Sequence, residues 1–142
     1  MLKAFPTIDG ILVNDESIAM FRMNKISPLY AEIEIITNFS HSVPYVYSKG
    51  TIEDEKELMD KLESILSYEK WIRINDEYRS LVCTEHVKTL QKEYKDGVFI
   101  LKIVFSDNNE LVLFEGTEQG LNSIYDDIQQ SLFSVIYKQE NL

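Results

Sequence analysis

The chain has 142 residues, 44% of them hydrophobic, a formal net charge of −10 and a pI near 4.6. That balance suits one compact unit and argues against direct binding to nucleic acid or anionic membrane, both of which need clustered Lys and Arg. Cys83 is the one cysteine, so no intrachain disulfide can form. No apolar run approaches the roughly 20 residues of a membrane span, and residues Met1–Pro6 lack the basic and apolar regions of a secretory signal. A cytoplasmic protein is the expectation.

Residues Met1–Gly10 read as a lead-in, punctuated by Pro6 and Gly10. Ile11–Val13 starts a strand, Asn14-Asp15 offers turn chemistry, and Ser17–Met23 reads as the return strand. Tyr30–Phe39 alternates Glu32 and Glu34 with Ala31, Ile33 and Ile35, the period-two pattern of a half-buried strand. Ser40–Ser42 reads as a turn and Val43–Tyr47 as its partner strand, which Pro44 assigns to a sheet edge or a bulge. Thr51 with Asp54 forms a capping box of modified type, opening a helix over 53–67 with Leu58, Met59, Leu62, Ile65 and Leu66 on one stripe.

The stretch Ile72-Arg73-Ile74-Asn75-Asp76-Glu77 echoes Ile11-Leu12-Val13-Asn14-Asp15-Glu16, with Asn75 standing 61 positions after Asn14 (75 − 14). Phe105-Ser106 echoes Phe39-Ser40 at an offset of 66 (105 − 39), which persists as Thr51 with Thr117, Leu62 with Ile128 and Leu66 with Leu132. An insertion of five residues (66 − 61) between Val87 and Phe99 reconciles the offsets. The expected fold is therefore α+β: an internal duplication of a ββββα unit, in which antiparallel meanders each carry one C-terminal helix packed on the sheet. The expected divisions are a lead-in at 1–10, a first repeat at 11–68 and a second at 69–142, packed as one globular unit. In the second repeat Tyr78–Val87 is the expected return strand and Lys88–Gly97 a loop or a bulged hairpin extension. Val98–Phe105 and Leu111–Phe114 flank a turn at Ser106–Glu110, and a helix spans 117–137. A meander closed by a C-terminal helix resembles pleckstrin-like modules in plan, with fewer strands per unit, and such a likeness carries no function.

Candidate chemistry is thin. Cys83 and His86 stand three apart in an expected strand, which points them to opposite faces, and His41 falls in a distant turn, so neither a nucleophile–base pair nor a metal set emerges. The glycines form no phosphate-cradling spacing. The aromatics Phe39, Tyr45, Tyr47, Phe99, Phe105 and Phe114 read as core rather than as a base-stacking platform.

Two features point outward. Between Lys102 and Lys138 there is no Lys or Arg, while Asp107, Glu110, Glu115, Glu118, Asp126 and Asp127 lie there. Phe133 and Tyr137 fall about 140–180° from the centre of the last helix's apolar stripe, at ~100° per residue, so they are candidate interface residues. These eight residues are the expected partner-binding set. The functional expectation is a non-catalytic, cofactor-free acidic module that binds a protein with a basic surface. One form would be an inhibitor of a nucleic-acid-acting protein, its carboxylates standing in for phosphates as in phage anti-defence (anti-CRISPR-like) or immunity-type proteins. A homodimer through the last helix is a further expectation, and a small-molecule pocket between the two repeats is the alternative.

Overall fold

The computed structural model describes residues 3–37, 40–66, 70–74 and 79–132. The described elements are ten strands in three antiparallel sheets and two α-helices, an α+β protein. β1 (Ala4–Pro6) and β2 (Leu12–Asn14) form a short hairpin; a 3₁₀ turn (Asp15–Ser17) leads into β3 (Ile18–Lys25), β4 (Tyr30–Thr37) and β5 (Ser40–Thr51), then α1 (Ile52–Ile65). β6 (Trp71–Arg73) and β7 (Leu81–Cys83) form a second hairpin. A 3₁₀ turn (Thr84–His86) precedes β8 (Val87–Lys95), β9 (Val98–Phe105) and β10 (Glu110–Gly116), then α2 (Glu118–Leu132).

The order hairpin, 3₁₀ turn, meander, helix thus occurs twice, but the sheets do not repeat it. β1 and β2 make a two-stranded sheet of their own, whereas β6 and β7 extend the first meander into a five-stranded sheet of order β5-β4-β3-β7-β6. The second meander remains a three-stranded sheet, β10-β9-β8. The strand pairing therefore does not bear out two equivalent ββββα units.

The two Asn-Asp-Glu copies also differ. Asn14 ends β2, and its side chain accepts a hydrogen bond from the Glu16 amide at 3.0 Å, capping the 3₁₀ turn rather than reversing a hairpin into β3. The supposed lead-in supplies β2's partner instead, with Phe5 opposite Val13. Residues 75–77 fall in the connection between β6 and β7, outside the described residues.

The centre of the molecule is β3. Its run Ile18-Ala19-Met20-Phe21 is fully buried, because the five-stranded sheet is covered on both faces. On one face Ile18, Phe21, Ile33, Ile35, Leu81 and Cys83 pack against Met59, Leu62 and Leu66 of the α1 segment and against Phe5 and Val13 of the first hairpin. Phe5 meets Phe21 edge-on with ring centroids 5.1 Å apart, and Trp71 closes on Phe21 from the other side at 5.6 Å. On the opposite face Ala19, Met20, Ile36 and Val82 join Leu101, Ile103 and Phe105 of β9 and Leu121 and Ile128 of α2. Strict alternation would put Ile18 with Met20. A register irregularity between them, where Ile18 faces Thr37 and Met20 faces Ile36, instead places Ile18 in Phe21's cluster.

Of the two alternatives for Lys88–Gly97, the bulged hairpin extension is what forms, with the pairing to β9 irregular between Val87 and Thr89. Val87–Lys95 is an edge strand, which tolerates its polar residues because one side of it meets solvent. Asp96 and Gly97, at φ 55° and 80°, close a two-residue hairpin onto β9, the left-handed backbone that Asp-Gly supplies. The return strand expected over Tyr78–Val87 is interrupted after Cys83 by the second 3₁₀ turn. Likewise β5 begins at Ser40, where a turn through Ser42 was expected, and Pro44 falls within its irregular pairing to β4 at the edge of the five-stranded sheet. α1 follows expectation, with Thr51 accepting from the Asp54 amide at 3.2 Å; Ile65, however, is 57% exposed rather than buried. α2 is described as far as Leu132.

Leu62 and Ile128 are each no more than 2% exposed and anchor the two helices in the two cores. Leu62→Ala and Ile128→Ala are each expected to cost about 2–5 kcal/mol in equilibrium denaturation, the range for a buried large-to-small change. A cost below about 1 kcal/mol for both would mean that these side chains are not the helix anchors.

Candidate functional site

The acidic residues of the second half divide between two surfaces. β9 directs Leu101, Ile103 and Phe105 to one core, so Ile100, Lys102 and Val104 take the sheet's other face, where Val104 is itself buried. Glu110 lies opposite Val104 and Glu115 opposite Ile100, on that same face, with the bulge between Val112 and Phe114 separating them along β10. Asp107 sits in the preceding turn, where its carboxylate accepts from the Asn109 amide at 3.1 Å and from the Asn109 side chain at 2.8 Å. α2 packs on the other side of the sheet. Its solvent stripe exposes Ser123, Asp126, Asp127 and Gln130, spaced by three and four residues, and Glu118 opens its first turn.

The outer face contains its own cation. Lys102 donates to Glu93 at 2.7 Å and to Glu110 at 3.1 Å. Those hydrogen bonds, to Glu93 first and Glu110 second, raise the pKa of the lysine above its ordinary value. Glu93 was not among the residues singled out from sequence; its period-two relation to Gln91 on an edge strand, across from Lys102, is the signal that finds it. Glu110 is therefore partly neutralised, while Glu115, Glu118 and Asp126 have no charged partner among the described residues. Other cations are committed elsewhere. Arg79 bridges to Asp60 at 2.5 Å and to the Lys56 carbonyl at 3.3 Å, and Arg73 reaches Glu63 at 3.4 Å and Asp60 at 3.5 Å, tying α1 to the second hairpin. Phe133 and Tyr137 lie outside the described residues.

The titratable groups with chemical potential are occupied structurally. Cys83 is 3% exposed, and burial pushes its thiol upward, away from the reactive thiolate. His86 ends the 3₁₀ turn after Cys83, with Nε2 2.8 Å from the Glu16 carbonyl, so it joins the two halves rather than approaching the thiol along one strand. His41 lies in β5, and its side chain is outside the described set. Among the described residues no group of three or more His, Cys, Asp or Glu is arranged to hold a metal ion. Tyr45, Tyr47, Phe99 and Phe114 are partly buried against the two cores, and Phe105 is fully buried, in keeping with a packing role.

Three surface cavities, of about 240, 280 and 300 Å³, are each lined by residues of one half of the chain. No helix among the described residues is long and apolar enough to cross a membrane. No protein-family model, curated protein or solved structure matches the chain.

Glu55 is the buried acid of the first half. It is 3% exposed; Oε1 accepts from Ser48 at 3.0 Å and Oε2 has no partner. A Cβ on Gly50 would lie 2.8 Å from Oε1, so only glycine admits the carboxyl here. Desolvation is the largest influence and raises its pKa above the ordinary 4.5; the Ser48 hydrogen bond lowers it and neighbouring Asp54 raises it. The folded chain thus binds this proton more tightly than the unfolded chain. Its contribution to stability is greatest below the ordinary glutamate range and is lost as pH rises through the folded value. Glu55→Gln is therefore expected to be more stable than the parent at about pH 8 and to flatten the fall in stability between about pH 4.5 and pH 8, as read by urea denaturation. A variant less stable than the parent at the higher pH would show that the carboxylate is ionised and stabilised in the fold.

Proposed function

We propose that the chain is a non-catalytic protein-binding module whose acidic second half engages a basic surface, in the manner of an inhibitor or regulator of a nucleic-acid-acting protein. The observation that carries the reading is the absence of a charged partner, among the described residues, for Glu118 and Asp126 of α2, and for Glu115 on the opposite face of the sheet, in a stretch without Lys or Arg from 103 to 137. Like charges left together on a surface repel one another, and a partner's cations would relieve that repulsion. Elsewhere, Asp60 and Glu63 are matched by Arg73 and Arg79, so the chain does pair its carboxylates where they support the fold. The exposed stripe of α2 gives this charge a rigid support, with Asp126 and Asp127 projecting from it. The outer face of the three-stranded sheet, where Lys102 offsets Glu93 and Glu110, is the weaker candidate.

The duplication belongs to the same proposal in a revised form: an ancestral unit of hairpin, 3₁₀ turn, meander and helix, whose second hairpin became part of the central sheet. The recurring element order supports it, as does the N-cap threonine of each helix, Thr51 before α1 and Thr117 before α2, with Oγ1 accepting from the Asp54 and Gly120 amides.

A basic partner purified by capture from the native host should associate about tenfold more slowly when salt rises from about 50 to about 300 mM, because screening shortens the reach of the steering field. Asp126→Lys with Asp127→Lys should weaken the complex while leaving thermal unfolding of the free chain nearly unchanged, since both positions are exposed. An affinity indifferent to both changes would remove α2 as the contact surface.

A further inference from the structure

Each meander brings the tip of its first hairpin against the start of the following helix, and each junction holds an open cleft. In the second half the cleft is lined by Tyr94 and Phe99, by Leu121 and Asn122 of α2, and by Lys92, Glu93 and Glu118. Tyr94 and Phe99 are cross-strand partners with ring centroids 4.6 Å apart. Lys92 extends along this cleft and places its ammonium 4.2 Å from the ring centroid of Tyr125. Lys92, a wall of this cleft, thus makes a favourable cation–π contact with α2 one turn beyond Leu121, at a ring outside the cleft lining.

The first-half cleft, about 280 Å³, is bounded by Pro28, Leu29, Tyr30, Thr51, Ile52 and Glu53. The Ile52 amide donates to the Leu29 carbonyl at 3.0 Å, which fixes the hairpin tip against α1. Leu29 is 70% exposed and Tyr30 53%, a large apolar exposure for residues that the core does not use. No Lys or Arg lines this cleft, and its one charged wall is the Glu53 carboxylate. Asp54 follows in the same helical turn, so the acidic side chains offset the positive end of the helix dipole.

We propose that this cleft, whose one charged wall is Glu53 and whose exposed ring is Tyr30, binds an arginine side chain of a protein partner. The methylene stem would lie along Leu29 and Ile52, and the guanidinium would stack on Tyr30 and pair with Glu53. Arginine fits better than lysine because its planar cation is more weakly hydrated and stacks on aromatic faces. The proposal rests on the reading of the chain as a module for basic partners and gives that reading a second, separate contact.

The test is a ¹⁵N–¹H NMR titration of the full chain with acetyl-Gly-Arg-Gly-amide and with its norleucine counterpart. Arginine peptide should shift the amides of Leu29, Tyr30, Ile52 and Glu53. Glu53→Gln should weaken binding about two- to fivefold, the value of an exposed ion pair, and Tyr30→Ser should abolish it; neither side chain is buried, so both variants should keep the parent spectrum elsewhere. Asp126→Lys with Asp127→Lys should leave the titration unchanged, so that failure of the α2 surface and failure of this cleft are read independently. Equal binding of the norleucine peptide, shifts confined to α2, or no shifts at all would each overturn the proposal.

Discussion

Everything in this fold depends on the pairing of β3 with β7, which places Met20 opposite Val82 and Phe21 opposite Leu81. That short ladder joins the two halves of the chain into one five-stranded sheet. Because β3 and β7 lie inside it, their side chains are buried on both faces, and each face needs its own cover. α1 and the first hairpin supply one layer; the three-stranded sheet and α2 supply the other. A continuous apolar run such as Ile18–Phe21 has no solvent side to offer, and only a central strand accommodates it without exposing large hydrophobic area.

The periodic elements were legible in the residues. The alternation of Glu32 and Glu34 with Ile33 and Ile35 marks β4, and the threonine cap with its stripe of Met59 and Leu62 marks α1, since local pattern and tertiary role agree in both. Where they diverge, the reading slips. Asn14-Asp15 satisfies turn chemistry whether it closes a hairpin or caps a 3₁₀ turn, and only the pairing of β2 with β1 decides. The 88–97 segment, left between a loop and a bulged hairpin extension, carried its own answer in Asp96-Gly97, a strong two-residue hairpin signal that its surrounding lysines and glutamate obscured. Sheet membership was not legible at all. Short strands such as β7 gain their identity from neighbours more than 50 positions away, and period-two alternation says nothing of partners.

The same separation governs the candidate surfaces. The run from Asp107 to Asp127 reads as one acidic tract in sequence, yet a strand and the helix that returns behind it put its members on opposite sides of a sheet. Lys102, remote in any reading of that tract and shared with Glu93, then offsets Glu110 on one side. Fold-supporting carboxylates such as Asp60 find arginines; Glu118 and Asp126 of α2 have no charged partner among the described residues, and that contrast underlies the functional proposal.

Native-state hydrogen exchange at the central ladder tests the account most directly. If the cross-half sheet is the structural centre, the paired amides of β3 and β7 should exchange only through global unfolding, with one common free energy for both halves. Separate and lower opening energies for β3–β5 with α1 and for β8–β10 with α2, leaving the β3–β7 amides unprotected, would contradict a fold built on their pairing.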